Sequence, residues 1–399
     1  MSNTLSKATK SAVMNTYGRF PLTVVKGKGS YVWSDSGEKY LDYTSGIATC
    51  NLGHVPDQVQ AALQEQLDTL WHVSNLYHIP IQEKLATIVT ENSIFDAAFF
   101  SNSGAEANEA AIKLAKKYAK DQGKEERTEI VTFKQSFHGR TGTTLAATGQ
   151  EKIHEGFTPI APGFRYLTYN DAEALEKIDN GRTTAVLLEL VQGEGGVNPV
   201  DQAWVSELAE ICKENDILLM LDEIQTGMGR TGTLFAYEQF GIEPDVMTLA
   251  KGLGSGFPIG AVLAKDKVAT SFTPGTHGST FGGNPLAATA GYATVKTMLA
   301  ENIPEQVQEV SAYFFSKLNE LKEMYPEIKV VKGKGLLVGL EMEKAAGTYI
   351  TALREKNVLA LSAGEHVLRI LPPLTTTTEE IDEFLKQFAE VMMESEHSN

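Results

Sequence analysis

The sequence predicts an α/β protein: a mainly parallel, doubly wound central sheet with helices on both faces, followed by a smaller α+β domain. Three observations carry this. Short apolar runs bounded by turn residues recur through the middle of the chain, and such runs suit strands buried on both faces. Segments of helical periodicity separate several of them, the alternation of a doubly wound sheet. From about residue 285 the pattern changes to long helices, short strands and a last amphipathic helix.

Residues 1–16 read as frayed. Two short strands, 31–33 and 39–42, flank the turn Asp35-Ser36-Gly37. After Gly46 and the Gly53-His54-Val55-Pro56 punctuation, a helix over 57–70 places Val59, Ala62, Leu63, Leu67 and Leu70 at helical spacing, and a second lies near 80–91. Candidate strands follow at 97–100, 130–133, 166–169, 185–191, 217–221, 246–250 and 260–264. Helices over 285–300 and 304–325 precede strands at 329–332, 336–341, 358–361 and 367–370. The last helix, from about 378, carries Ile381, Phe384, Leu385, Phe388 and Val391 on one face, and Thr377 with Glu380 predicts a capping box. Residues 57–284 read as a self-contained large domain and 285–399 as a small C-terminal one. Residues 1–56 read as a segment that packs with the small domain.

Composition bounds the function. At 42% hydrophobic and 22% charged, the 399 residues are those of an ordinary globular protein. A formal net charge of −16 argues against nucleic acid, whose phosphates need basic patches. Two cysteines, Cys50 and Cys212, supply neither a disulfide framework nor a cysteine zinc site, and no metal is expected. No apolar stretch at the N-terminus suggests a secretory signal, and no run approaches the ~18 residues of a membrane span. A cytoplasmic protein is the expectation.

Chemistry concentrates at two strand ends. The apolar run 217–221 ends in Asp222 and the run 246–250 ends in Lys251. Ligands of open α/β sheets bind beyond the carboxyl ends of the strands. A desolvated lysine forms a Schiff base with an aldehyde, and pyridoxal phosphate (PLP) is the cofactor that pairs such a lysine with an acid at its pyridine nitrogen. At ~4 Å and an effective dielectric near 20, that carboxylate is worth roughly 4 kcal/mol to the protonated ring. The plainer alternative makes Asp222 a cap and Lys251 a solvated strand end.

Other motifs carry the same double reading. Ser103-Gly104-Ala105-Glu106 opens a helix, as an anion site or as a capping box alone. Phe137-His138-Gly139-Arg140 offers a stacking ring and a guanidinium fork, or a surface loop; His138 has no companion at metal-ligand spacing. Glu194, between glycines in Gln192-Gly193-Glu194-Gly195-Gly196, is functional or a turn acid. Ser279 and Thr280 could hold phosphate or lie on a helix entry at Pro285. Gly227-Met228-Gly229-Arg230-Thr231-Gly232 is a weak glycine motif alone. Arg369 sits in an apolar strand, where arginine is usually paired.

Taken together, SNSGAEANEAAIKLA, SFHGRT, QGEGG, LDEIQTGMGRTG, LAKGLGSGFPIGA, HGSTFGGNP and LRILPPLT resemble the class III PLP-dependent aminotransferases over nearly the whole chain. The stretches 70–76 and 279–284 resemble the acetylornithine branch of that family. The resemblance implies the PLP-dependent transferase fold of type I and a homodimer with shared sites. It implies that Lys251 is the Schiff-base lysine, that Asp222 pairs the pyridine nitrogen, and that Gln225 contacts the phenolic oxygen. Phe137 would stack on the ring. Ser103, Gly104 and Ala105 would hold the phosphate, with Thr280 contributed by the partner subunit. Arg140 and Ser279 would contact substrate, Arg369 would take the α-carboxylate of glutamate, and Glu194 would shield Arg369 otherwise. Leu190 and Tyr77 depart from the family's usual proline and phenylalanine.

The implied reaction is amino transfer from N2-acetyl-L-ornithine to 2-oxoglutarate, giving N-acetyl-L-glutamate 5-semialdehyde and L-glutamate in arginine biosynthesis. Ornithine, succinylornithine and 4-aminobutyrate aminotransferases share the cofactor motifs. An aminomutase or decarboxylase on the same fold, and a non-catalytic PLP-binding protein, are rivals of other classes.

Overall fold

The computed structural model describes residues 11–396. A seven-stranded sheet runs in the order Ala97–Ser101, Gly260–Ala264, Val246–Leu249, Leu218–Asp222, Thr183–Leu188, Glu129–Phe133 and Phe164–Leu167. Gly260–Ala264 is antiparallel to both neighbours, and every other pairing is parallel. All seven expected strands are in this sheet. Four of them, Thr183–Leu188, Leu218–Asp222, Val246–Leu249 and Gly260–Ala264, are buried at every position.

Burial on both faces follows from the side-chain period of two. Leu218 and Met220 pack into one apolar cluster, with Ala107, Ala111 and Leu114 of the helix Gly104–Asp121. Leu219 and Leu221 pack into the opposite one, with Trp204, Val205 and Leu208 of the helix Gln202–Glu214. Each leucine so buried contributes roughly 1.5–3 kcal/mol relative to exposure.

Two expected strands shift. The apolar run expected as 185–191 leaves the central sheet at Leu188; Glu189 and Leu190 are buried as a wall beyond it, and Val191 starts a separate two-residue strand, Val191–Gln192, antiparallel to Asn198–Pro199. The edge strand is Phe164–Leu167 rather than 166–169, and it is mostly half-buried, so apolar pattern defines it poorly.

Two four-stranded sheets flank this core. In one, Val24–Lys28, Tyr31–Ser34 and Lys39–Asp42 form antiparallel neighbours, and Val358–Leu359 adds parallel to the last of them. In the other, Ile328–Lys334, Leu337–Met342, Val367–Ile370 and Leu361–Ala363 are antiparallel. The run expected as one strand over 358–361 is thus divided at Ala360, where the chain changes sheet. The first strand of the first sheet escaped the sequence pattern because it is almost wholly exposed. The expected frayed segment 1–16 lies partly outside the described residues; its remainder, 11–16, is exposed.

The final helix, Thr378–Glu396, begins with the expected capping box: Glu380 N donates to Thr377 Oγ1 (3.3 Å) and Thr377 N to Glu380 Oε2 (3.2 Å). Arg230, fully buried, ties the parts together by donating to Leu336 O (3.1 Å), Asn51 Oδ1 (2.9 Å) and the Pro372 carbonyl. Among the described residues no helix is long and apolar enough to cross a membrane.

Candidate active site

Leu218–Asp222 and Val246–Leu249 lie side by side and parallel, with Asp222 opposite Thr248. Their shared direction brings Asp222 and Lys251 to one end of the sheet. Lys251 starts a 3-10 turn with a φ of 43°, a left-handed conformation that costs a non-glycine residue of order 1 kcal/mol. Gly252, next in the turn, makes room for the Asn51 side chain: a Cβ there would lie 2.2 Å from Asn51 Nδ2.

A cavity of about 410 Å³ opens at this edge, lined among others by Ser103, Gly104, Phe137, Asp222, Gln225 and Lys251. Ala105 and Arg140 also border it. Lys251 is half-buried at the level of the whole residue because its side chain borders the cavity. Burial of its amine lowers the pKa from the ordinary lysine value, against the opposing pull of Glu194.

Asp222 is held by more partners than the sequence reveals. Its Oδ2 accepts from Asn108 Nδ2 (2.8 Å) and lies 2.8 Å from His138 Nδ1, while Oδ1 accepts from Ile224 N (3.1 Å). Thr248 Oγ1 donates to Asn108 Oδ1 (2.8 Å), which fixes that amide. A buried carboxylate so surrounded keeps a defined direction. Asn108 and His138 stand 114 and 84 positions from Asp222. The one signal available was a polar Asn on the apolar face of an alanine-rich helix.

The helix Gly104–Asp121 starts at the cavity. Ser103 caps it, its Oγ accepting from Glu106 N (3.2 Å), while the Glu106 carboxylate accepts from Asn102 N (2.6 Å). The cap is therefore real. It leaves the N–H groups of Gly104 and Ala105, which have no intrahelical acceptor, at the positive end of the helix dipole. The Arg140 guanidinium carbon lies 5.7 Å from the Phe137 ring centroid.

Arg369, 2% exposed on Val367–Ile370, meets Glu194 in a two-pronged ion pair: Nη1 to Oε1 at 2.6 Å and Nη2 to Oε2 at 3.1 Å. Burial pushes the Glu194 carboxyl up, but the guanidinium outweighs it and the net pKa is lowered. Gln225 touches both partners and lines the cavity. Glu189, buried in the wall, accepts from Phe137 N (3.0 Å) and Gly193 N (3.4 Å), so it ties the ring-bearing loop to the Glu194 loop. Burial, then Asp222, holds its carboxyl well above the usual range. No sequence signal pointed to that role, since Glu189 reads there as one polar residue within an apolar run.

Ser279 and Thr280 are not brought into this cavity. They line a neighbouring one of about 350 Å³, and Asn102 borders both. Ser279 Oγ accepts from Gly282 N (2.9 Å) and Asn102 Nδ2 (3.4 Å). Leu190 is buried and Tyr77 exposed, and neither lines the main cavity.

The sequence profile described as Aminotransferase class-III matches residues 12–392. This chain is a class-III aminotransferase. The aminotransferase is similar to the acetylornithine aminotransferase of Oceanobacillus iheyensis, 63% identical over 392 residues and 98% of each chain. It is 48% identical to that of Listeria innocua over 95% of this chain and 97% of the relative. Among solved structures, the ornithine aminotransferase of Toxoplasma gondii superposes with a TM-score of 0.94 at 31% identity, covering 97% of this chain and 93% of that one. The N-acetylornithine aminotransferase of Stenotrophomonas maltophilia gives 0.84 at 37% identity, over 96% and 98%. The Toxoplasma structure has PLP at partial occupancy in its active site. The fold of this aminotransferase, a mixed central sheet covered by helices, is the family's.

Proposed function

We propose that this protein transfers the distal amino group of N2-acetyl-L-ornithine to 2-oxoglutarate, forming N-acetyl-L-glutamate 5-semialdehyde and L-glutamate. The observation that carries the reading is the Arg369–Glu194 pair, made within the protein and within electrostatic reach of Lys251. A guanidinium neutralised by a removable carboxylate suits one pocket serving substrates of unlike charge. The names of the acetylornithine aminotransferases that align over nearly the whole chain support the same substrate. Arginine biosynthesis in the cytoplasm is the setting we infer.

The residues present fit PLP. The capped helix start offers N–H groups for a phosphate, Phe137 offers a ring face, and Asp222 offers a fixed carboxylate. PLP, when bound, supplies an aldehyde that joins the substrate amine and a ring that withdraws electrons from the adjacent carbon. Ser103, Gly104 and Ala105 would hold its phosphate. Asp222 would face the ring nitrogen and favour its protonated form, and His138 and Asn108 keep Asp222 aimed. Gln225 would donate to the phenolic oxygen. Lys251 Nζ would take the proton from the carbon that bears the substrate amine, and its burial favours the neutral, basic form.

Arg140 binds the single carboxylate of acetylornithine, joined by Ser279, which lies outside its own chain's cavity and, like Thr280, would reach the site of a neighbouring subunit; Glu194 meanwhile neutralises Arg369. An unpaired guanidinium in so buried a place would be costly. Glutamate has two carboxylates. Arg140 takes the side-chain one, and Arg369 takes the α-carboxylate after Glu194 swings aside on its glycine-flanked loop.

We further propose a homodimer in which Thr280 serves the phosphate of the neighbouring subunit. Two observations support this: Thr280 lies outside its own chain's cavity, and apolar side chains stand exposed nearby, including Trp71 at 63% and Leu76 at 89%. Asn75 Nδ2, donating to Ser279 O and Gly282 O, ties that exposed stretch to the Thr280 loop. We also propose a division into a large domain of 57–284 and a small one of 285–399, with 1–56 packing on the latter. The pairing of Lys39–Asp42 with Val358–Leu359 supports that packing.

A panel of amine donors, each assayed with 2-oxoglutarate on purified protein, tests the substrate. Acetylornithine should give the highest kcat/KM. A higher value for ornithine, succinylornithine or 4-aminobutyrate would overturn the assignment.

A further inference from the structure

In the resting protein Glu194 is itself a carboxylate bound to Arg369. The groups that hold it therefore outline a carboxylate receptor. Arg369 supplies two donors, at 2.6 and 3.1 Å. A third comes from Gln225, whose Nε2 lies 3.4 Å from Glu194 Oε1. Gln225 Oε1 in turn accepts from Arg369 Nη1 at 3.1 Å. The amide orientation is set by its neighbours: a guanidinium only donates, so the oxygen must face it, and a carboxylate only accepts, so the nitrogen must face that. Gly193 lets the amide sit there, since a Cβ at that position would lie 2.3 Å from Gln225 Oε1.

We propose that Gln225 is a ligand of the substrate α-carboxylate, completing with Arg369 a three-donor receptor that Glu194 fills until glutamate displaces it. This rests on the reading of Glu194 as a displaceable partner of Arg369. The amide nitrogen carries two hydrogens, so one can serve the phenolic oxygen of the cofactor while the other serves a carboxylate. The amide oxygen keeps its contact with Arg369 throughout, so the guanidinium stays in place when Glu194 leaves. Specificity for glutamate then depends on an uncharged amide at 225 as well as on Arg369.

Glu194 and the incoming carboxylate compete for the same donor, so losing it weakens both equally. The probe is glutarate, a non-reacting five-carbon dicarboxylate, titrated calorimetrically into the PLP-loaded protein, with PLP content checked for each variant. Glu194→Ala alone should bind glutarate more tightly than the native protein. If it does not, the displaceable-partner reading fails, whatever Gln225 does. Gln225→Met should change glutarate affinity by less than about 2-fold in the native background, but weaken it by about 10-fold in the Glu194→Ala background, the range of a hydrogen bond to a charged group. Equal weakening in both backgrounds, or none in the second, would overturn the role of Gln225. Should Gln225→Met fail to hold PLP, Gln225→Glu in the Glu194→Ala background decides instead. It removes the donor and returns a carboxylate to Arg369, so glutarate should bind no better than to the native protein. Binding as tight as to Glu194→Ala alone would overturn the proposal.

Discussion

Among single residues, Asp222 and Lys251 were legible because each ends an apolar run, and the sheet's parallel strands place such ends together. Asn108, His138 and Glu189 were not, since their roles arise from contacts across the fold. Asp222→Asn keeps the shape of the side chain and removes its charge. We expect kcat to fall at least ~10²-fold, about 2.7 kcal/mol of lost transition-state stabilisation, with PLP content retained. Near-normal kcat with full PLP occupancy would reduce Asp222 to a structural cap. Borohydride reduction of the PLP-loaded protein, followed by peptide mass spectrometry, should place the fixed cofactor on Lys251; an adduct on another lysine would refute that assignment.

Among the elements, fully buried strands were the easiest to read, because their apolar runs need no alternation. Their ends were less legible where burial continues past the strand, as at Glu189 and Leu190. The exposed strand Val24–Lys28 carried no such signal. Backbone hydrogen bonds between Gly29 and His54 fasten this first sheet to the loop at residue 54, and a side-chain contact adds to them: His54 Nε2 lies 2.7 Å from Asp42 Oδ2, at the end of Lys39–Asp42. The Asp42 contact, helped by Cys50, raises the His54 pKa to about 10 from an ordinary 6.5. A raised folded-state pKa means that the folded protein holds the proton more tightly than the unfolded chain. Its stabilising contribution is complete below pH 6.5 and is lost as pH rises through about 10. The thermal midpoint should therefore decline more over this window in the native protein than in His54→Gln. Parallel declines would show that the contact carries no linked proton.

Across the full chain, the seven central strands and the later change of character were visible in the pattern of apolar residues. That pattern could not show that Arg369 would close on Glu194 from 175 positions away. The apolar setting of Arg369 demanded some partner, and the fold supplies one. Assembly can be tested by mixing subunits. Hybrids of Lys251→Ala with a variant inactivated at Thr280 would have one intact site and one doubly damaged site if Thr280 serves the neighbouring subunit. Activity should then reappear on mixing, once subunit exchange is verified by mass. Verified hybrids without activity would return Thr280 to its own chain.

If Glu194 is a displaceable partner, Arg369 is used in one half of the reaction and hidden in the other. Single-turnover spectra follow each half separately: acetylornithine with the PLP form, and glutamate with the same form. In Arg369→Ala the glutamate half should slow by about 10²-fold or more, the scale of a lost charge-assisted contact, while the acetylornithine half stays within a few-fold of native. Equal losses in both halves, with PLP fully bound, would show that Arg369 is not switched between substrates.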